Sequence, residues 1–241
     1  TKESQREISV QAANNAIESA RGIAYPNALN LPIDESKIPA FVKPYIELTQ
    51  KMAFLIAQLS KSEIRSINIA AEGAISEYLD SLQTFATVGV LAVSSGSEVN
   101  YVNASFIAKE KNIELTTSEF SNHSGYQNKV SIKITTPTGV KTISGTVFNE
   151  DVQRIVEING FPLDIEPKGK MLVMRNNDVP GVIGEVGKIL GDNNINIADF
   201  RLSRGKEGAL AVILIDEKAS SDVLKKLGNL EAAIAVAYAE I

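Results

Sequence analysis

From residue 170 onward, hydrophobic and polar positions alternate between strand spacing and helix spacing. The run 170–175 is short and apolar, which is typical of a buried strand. The next segment has one apolar stripe at helical spacing, formed by Val182, Ile183, Val186, Ile189 and Leu190. The pattern predicts strands at 170–175, 195–203, 209–215 and 232–241, with helices at 180–192 and 220–230. This order is that of the ferredoxin-like βαββαβ unit.

The stretch 39–166 mixes both periodicities in a different order. It predicts helices at 44–59, 76–92 and 103–111, and strands at 64–71, 113–120, 129–136, 140–148, 154–158 and 161–165. Two turn signals separate neighbouring strands, Pro137-Thr138-Gly139 and Asn159-Gly160. We therefore expect a second α+β domain before the βαββαβ unit.

The N-terminal segment has the pattern of a helix over 1–20, followed by an extended stretch. The chain is thus divided into a helix with a linker (1–38), a middle domain (39–166) and a C-terminal domain (167–241). A length of 241 residues suits two or three units. The expected fold class is α+β.

Composition narrows the function classes. The chain is 44% hydrophobic and 22% charged, as in globular proteins, and its net charge of −5 argues against a nucleic-acid or membrane-surface partner. The absence of cysteine excludes disulfides and thiolate chemistry. The sequence has neither a signal-peptide pattern nor an apolar run of about 20 residues. We expect a cytoplasmic location.

The loop after the strand at 170–175 is the strongest candidate binding site. Pro180 suits the first position of a helix, so we predict that the helix starts near this residue. Gly181 and Gly184 leave its first turn open to a ligand's carboxylate, while Asp178 could hold an ammonium. Asn196 offers an amide that both donates and accepts. The alternative is an ordinary strand-to-helix turn. The predicted site comprises Asp178, Val179, Pro180, Gly181, Val182, Ile183, Asn196 and Ile197.

Catalytic chemistry has little support in the sequence. A dinucleotide site requires a Gly-x-Gly-x-x-Gly turn, and none occurs. The single histidine, His123, lies in a polar stretch, and one histidine without cysteines gives no metal-ligand spacing. We predict no catalytic residue, no metal and no cofactor in this chain.

The segment 170–241 resembles an ACT domain, the amino-acid-sensing module of many metabolic enzymes. It is most similar to the form found at the C-terminus of D-3-phosphoglycerate dehydrogenases. The resemblance implies that L-serine is held between two paired modules by the loop acid Asp178 and by Asn196 of the Asn-Ile segment. Asn176 stands where the family often has His or Tyr.

The middle domain resembles the intervening, or allosteric substrate-binding, domain of the longer members of that family. The matching pieces are Tyr101-Val102-Asn103-Ala104, Ser121-Asn122-His123, Ser144-Gly145-Thr146-Val147 and Ile158-Asn159-Gly160. Some members have a basic pocket for a phosphorylated ligand in this domain. The resemblance implies an anion site here, and the alternative is an exposed strand face. The candidates are His123, Lys129, Lys133, Lys141, Ser144, Thr146 and Arg154.

The resemblance implies a regulatory and oligomerisation region of an enzyme that oxidises 3-phosphoglycerate with NAD, the first step of L-serine biosynthesis. The expected partners are L-serine, a second copy paired through the ACT domain, and the catalytic domains of the parent enzyme. Two alternatives stay open: a regulatory part of an iron–sulfur L-serine dehydratase, and a dimerisation module without a ligand.

Overall fold

The computed structural model describes residues 2–20, 38–60, 62–120 and 124–241. Helix α1 (Lys2–Ala20) precedes two β-sheets that carry the remaining helices. The predicted linker after α1 falls on residues 21–37, which lie outside the described residues, as does His123. The expected α+β class is confirmed.

The first sheet has six strands in the order β2-β1-β3-β4-β5-β6. They are β1 (Ser66–Glu72), β2 (Glu114–Glu119), β3 (Lys129–Thr136), β4 (Gly139–Phe148), β5 (Val152–Ile158) and β6 (Phe161–Ile165). Strands β1 and β2 are parallel, and the other pairs of this sheet are antiparallel. A parallel pair needs a crossover connection, which α3 (Leu79–Ser95) and α4 (Ala104–Glu110) supply.

Helix α2 (Lys43–Gln58) covers this sheet together with α3. It begins with Pro44 in its first turn, where the missing N–H has no helical partner to lose. Alternate residues of β3, namely Val130, Ile132 and Ile134, are fully buried under the helices. The two helices approach closely at Gly89, where a Cβ would lie 2.4 Å from the Gln50 carbonyl oxygen. A larger residue there would push the helices apart.

The prediction of a single helix at 76–92 was wrong at its start. Residues 74–78 form a 3-10 turn, and α3 begins at Leu79. A residue distant in sequence stabilises this turn: the Asn128 side-chain oxygen accepts a hydrogen bond from the Ile75 N–H at 3.1 Å. Local periodicity carries no information about this contact.

The second sheet has the predicted ferredoxin-like order β10-β7-β9-β8, with all neighbours antiparallel. Its elements are β7 (Lys170–Asn176), α5 (Val182–Asp192), β8 (Ile197–Gly205), β9 (Gly208–Ile215), α6 (Ser221–Gly228) and β10 (Ala233–Glu240). The Ser220 side chain caps α6 by accepting from the Val223 N–H. Strands β8 and β10 form the two edges of the sheet.

Strand β7 is buried on both faces, and each face is covered by a different part of the molecule. Leu172 and Met174 pack under α5 and α6. Met171 and Val173 belong instead to the core of the first domain, together with Phe161 of β6. Gln58 at the end of α2 also exchanges two hydrogen bonds with the Glu240 backbone, at 2.9 and 3.1 Å. One apolar core is therefore built from residues of both domains, and the helix side of the second sheet has a separate core.

Candidate functional site

A cleft of about 420 Å³ opens where β7 ends, between the sheet and the start of α5. We call it the effector cleft. Its walls come from the loop after β7, the first turns of α5 and the helix-facing side of β8. The lining residues are Met174, Asn176, Asp178, Val179, Pro180, Gly181, Val182, Ile183, Gly184, Val186, Phe200, Leu202, Arg204 and Ala211.

The loop that forms one wall has two left-handed residues, Asp178 at φ 52° and Gly181 at φ 97°. Because Gly181 is left-handed, α5 begins at Val182, two residues after Pro180, near which the start was predicted. The first intrahelical bond runs from the Glu185 N–H to the Gly181 carbonyl oxygen. The N–H groups of residues 182–184 precede that bond and are free of helical partners. This turn therefore offers donors at the positive end of the helix dipole.

Asn176, the last residue of β7, lies at the bottom of the effector cleft with 2% of its surface exposed. Its side-chain oxygen accepts from the Asp178 N–H at 2.9 Å, which fixes the orientation of the amide. The Nδ2 group is then a buried donor, and it has no hydrogen-bond partner. An unpaired buried donor costs about 1–3 kcal/mol. A ligand that presents an acceptor here would remove that cost.

Asp178 and Arg204 face each other across the effector cleft. Arg204 Nε lies 3.1 Å from Asp178 Oδ1, and their side chains are 73% and 30% exposed. Arg204 reaches this place because it lies near the end of β8, opposite Ala209 in the ladder. The carboxylate predicted to hold an ammonium is thus paired with a cation of the same chain.

Asn196 and Ile197 lie at the other end of the sheet. Ile197 pairs with Ile215, which pairs in turn with Lys170 at the start of β7, whereas the effector cleft adjoins the end of that strand. The Asn196 Nδ2 donates to Asp216 at 2.7 Å, and its backbone N–H donates to Glu217 at 2.8 Å. Within one chain, the two predicted ligand contacts, Asp178 and Asn196, are therefore not brought together.

The residues expected to form an anion site are scattered over the first sheet. Lys129 and Lys133 lie on the same face of β3, and Lys129 also sits over the Phe120 ring at 4.6 Å. Lys141 pairs with Ile134, a residue of the opposite face. These lysines are therefore divided between two faces of the sheet.

The hydroxyl and guanidinium candidates already have partners. The Thr146 hydroxyl is buried and donates to the Asn128 carbonyl oxygen at 2.6 Å. Ser144 shares a hydrogen bond of 2.8 Å with Ser131. Arg154 Nε lies 3.2 Å from Asp164 Oδ1. With His123 outside the described residues, the anion site stays a prediction.

Two polar residues that line the effector cleft, Asn176 and Arg204, are absent from the predicted site. Asn176 had a signal, because alternation along β7 places it on the same side as Leu172 and Met174. Arg204 had no such signal, since its local pattern does not indicate that it reaches the loop after a different strand.

Among the described residues no helix is long and apolar enough to cross a membrane, and no group of three or more metal-ligating side chains is assembled.

Comparison with known families matches both domains. Residues 41–159 match the D-3-phosphoglycerate dehydrogenase intervening domain, and residues 170–232 match the ACT domain. D-3-phosphoglycerate dehydrogenase from Bacillus subtilis (strain 168) is 35% identical over 239 residues, which cover 98% of this chain and 46% of that protein. The enzyme of the same name from Archaeoglobus fulgidus is 28% identical over 246 residues, covering 100% of this chain and 46% of that protein.

A third relative, D-3-phosphoglycerate dehydrogenase from Synechocystis, is 27% identical over 231 residues, covering 94% of this chain and 42% of its own length. The chain thus spans a little under half of each of these relatives. The comparisons do not support the serine dehydratase alternative. With both domain matches in the expected order, the chain belongs to the D-3-phosphoglycerate dehydrogenase family, as an intervening domain followed by an ACT domain.

Proposed function

We propose that this chain is the regulatory and oligomerisation part of a D-3-phosphoglycerate dehydrogenase, and that its effector cleft binds a small amino acid, L-serine first. The whole protein would oxidise 3-phosphoglycerate with NAD at the start of serine biosynthesis, using catalytic and NAD-binding parts that lie outside these two domains. The names of the relatives support the activity. The chain itself would bind and not catalyse.

The observation that carries the binding proposal is the unpartnered Nδ2 of Asn176. A carboxylate has two oxygens and can accept from this amide and from the N–H groups at the start of α5 together. Asp178 then lies across the cleft as the partner for an ammonium. These groups complement the two charged ends of an amino acid.

The second copy would complete the site. Strand β8 is a nine-residue edge, and an exposed edge is satisfied when it pairs with another strand. Pairing of two β8 strands about a two-fold axis is antiparallel, so the start of one strand meets the end of the other. This brings Asn196 of the partner subunit towards Asp178 and Arg204. The proposal thus accounts for two predicted contacts that lie at opposite ends of the sheet within one chain.

Isothermal titration calorimetry with L-serine, glycine and L-alanine tests the binding proposal. Asp178→Ala should weaken serine binding about ten-fold or more, because it removes a charge-assisted contact worth about 1.5–3 kcal/mol. Asp192→Ala is a matched control, since Asp192 pairs with Lys188 at the far end of α5. Lys141→Ala in the other domain should also leave binding unchanged.

Two results would contradict the proposal. One is the absence of heat with millimolar serine, glycine and alanine, which would favour a dimerisation module without a ligand. The other is an Asp178→Ala variant that binds as tightly as the unmutated chain. A monomer in sedimentation at micromolar concentration would count against the paired β8 edges.

A further inference from the structure

The Asp178–Arg204 ion pair lies in the effector cleft. Both residues line the cleft, and they come from different walls: Asp178 from the loop after β7 and Arg204 from β8. Arg204 is largely exposed and Asp178 is partly exposed, so the pair is well solvated. Solvated ion pairs contribute little to stability. Breaking this pair therefore imposes only a small barrier to binding.

The pair makes the cleft discriminate by charge at both ends of a ligand. An amine without a carboxylate could pair with Asp178 but would make no contact with Arg204. A carboxylic acid without an amine could pair with Arg204 but would make no contact with Asp178. A zwitterion replaces both halves of the pair, because its ammonium meets Asp178 and its carboxylate meets Arg204.

Arg204 also lies where a carboxylate is expected on independent grounds. The buried donor of Asn176 lines the same cleft and requires an acceptor. One carboxylate oxygen can accept from the amide and the N–H groups of α5, while the other meets the guanidinium, whose planar set of donors matches carboxylate geometry. The ammonium of an amino acid is then directed to the remaining side of the cleft, where Asp178 lies.

We propose that Arg204 is a specificity-determining residue that exchanges Asp178 for the α-carboxylate of the ligand, so that the cleft selects amino acids over the corresponding amines and amides. This assignment rests on the proposed function and names the chemical feature that the site recognises. The ligand class is a free α-amino acid with both charges present.

The test compares L-serine with L-serinamide, which keeps the hydroxyl and the amine but has no carboxylate charge. Calorimetry is run at a pH low enough to keep the serinamide amine protonated. The unmutated chain should prefer serine by about ten-fold or more, the ratio expected for one charge-assisted contact. Arg204→Gln should lower the affinity for serine by a similar factor and leave the affinity for serinamide unchanged or higher. The preference for serine would then be lost.

Two further variants sharpen the comparison. Arg204→Lys keeps the charge but loses the planar set of donors, so it should retain part of the preference for serine. Arg154→Gln is the matched control, because Arg154 pairs with Asp164 through the same Nε–Oδ1 contact, at 3.2 Å, in the other domain. It should change neither ligand's affinity.

Serine binding that is unchanged or tighter in Arg204→Gln would overturn this assignment but not the proposed function. Arg204 would then make no favourable contact with the ligand. An equal loss for serine and serinamide would also overturn it, since Arg204 would then act on the shape of the cleft. No serine binding by the unmutated chain would overturn the proposed function and this assignment together.

Discussion

Asn176 combines a structural contact and an unpaired hydrogen-bond donor in one side chain. Its oxygen holds the loop by accepting from the Asp178 N–H, and its Nδ2 stays unpaired in the effector cleft. A residue used only for packing would have no reason to keep a buried donor without a partner, because that arrangement costs free energy. At the residue scale, the amide is therefore the part of the cleft most specific to a ligand.

Asn176→Ala should reduce serine affinity about ten-fold or more while changing the free energy of unfolding by less than about 1 kcal/mol. The stability change is small because the loss of one hydrogen bond is offset by the removal of the unpaired donor. Titration calorimetry and urea unfolding measure the two quantities. Asn229→Ala, at the exposed end of α6, is the control. A large loss of stability with unchanged affinity would make Asn176 a purely structural residue.

At the scale of elements, the effector cleft adjoins the junction between the two domains. Phe161 of β6 packs against Arg175, whose guanidinium carbon lies 4.6 Å from the ring centre, and against Gly205. Each of these ACT-domain residues is the neighbour of a cleft residue, Asn176 or Arg204. The ends of β7 and β8 therefore present one side to the effector cleft and the other to the first domain.

Gly205→Ala should lower the free energy of unfolding by about 1–3 kcal/mol, the usual cost of overpacking. The added Cβ would lie 2.9 Å from a ring carbon of Phe161, so the ring or β8 must move. Gly187→Ala is the matched control in mid-α5, where a Cβ meets no atom within 4 Å. It should stabilise the chain by roughly 0.5–1 kcal/mol, because alanine favours helix. Equal effects of the two substitutions would show that Phe161 does not confine β8.

At the scale of the whole molecule, the ACT sheet depends on the first domain for one of its faces. Met171, Val173, Leu210 and Val212 are buried in the shared core on the side away from α5 and α6. Burial of such a side chain contributes about 1.5–3 kcal/mol. Exposure of all four would remove an amount comparable to the roughly 5–15 kcal/mol that stabilises a typical domain.

A fragment comprising residues 167–241 should therefore be unfolded or aggregated, even though it contains the whole βαββαβ unit. Circular dichroism melts and sedimentation would measure this. A chain that lacks residues 1–14 is the control, and it should melt like the full chain because the side chains at 5–14 of α1 are exposed. A cooperative, monodisperse 167–241 fragment would show that the interdomain face is dispensable.

A mixing experiment tests whether the site spans two copies. If Asp178 of one copy and Asn196 of its partner form one site, Asp178→Ala and Asn196→Ala should each weaken binding. A heterodimer of the two variants then contains one intact site and one doubly mutated site. Unfolding and refolding an equal mixture should restore about a quarter of the high-affinity sites, by random pairing of protomers. If the site lay within one chain, mixing would restore none.

Much of this architecture was predictable from the sequence. The element order of the C-terminal domain follows from short-range periodicity, because alternation and helical spacing are properties of neighbouring residues. The loop from Asp178 to Ile183 was identified for the same reason, as a proline and glycines mark the passage from strand to helix. The exact start of α5 was not, because it depends on the left-handed backbone of Gly181.

The tertiary structure alone decided which side chains meet in the effector cleft. Hydrophobicity shows that β7 is buried, but not that the helices cover one face and the first domain the other. The pairing of Arg204 with Asp178, and the separation of Asn196 from both, follow from the strand order β10-β7-β9-β8 and its register. Sequence determines periodicity over a few residues, whereas contacts between distant residues depend on how whole strands are aligned.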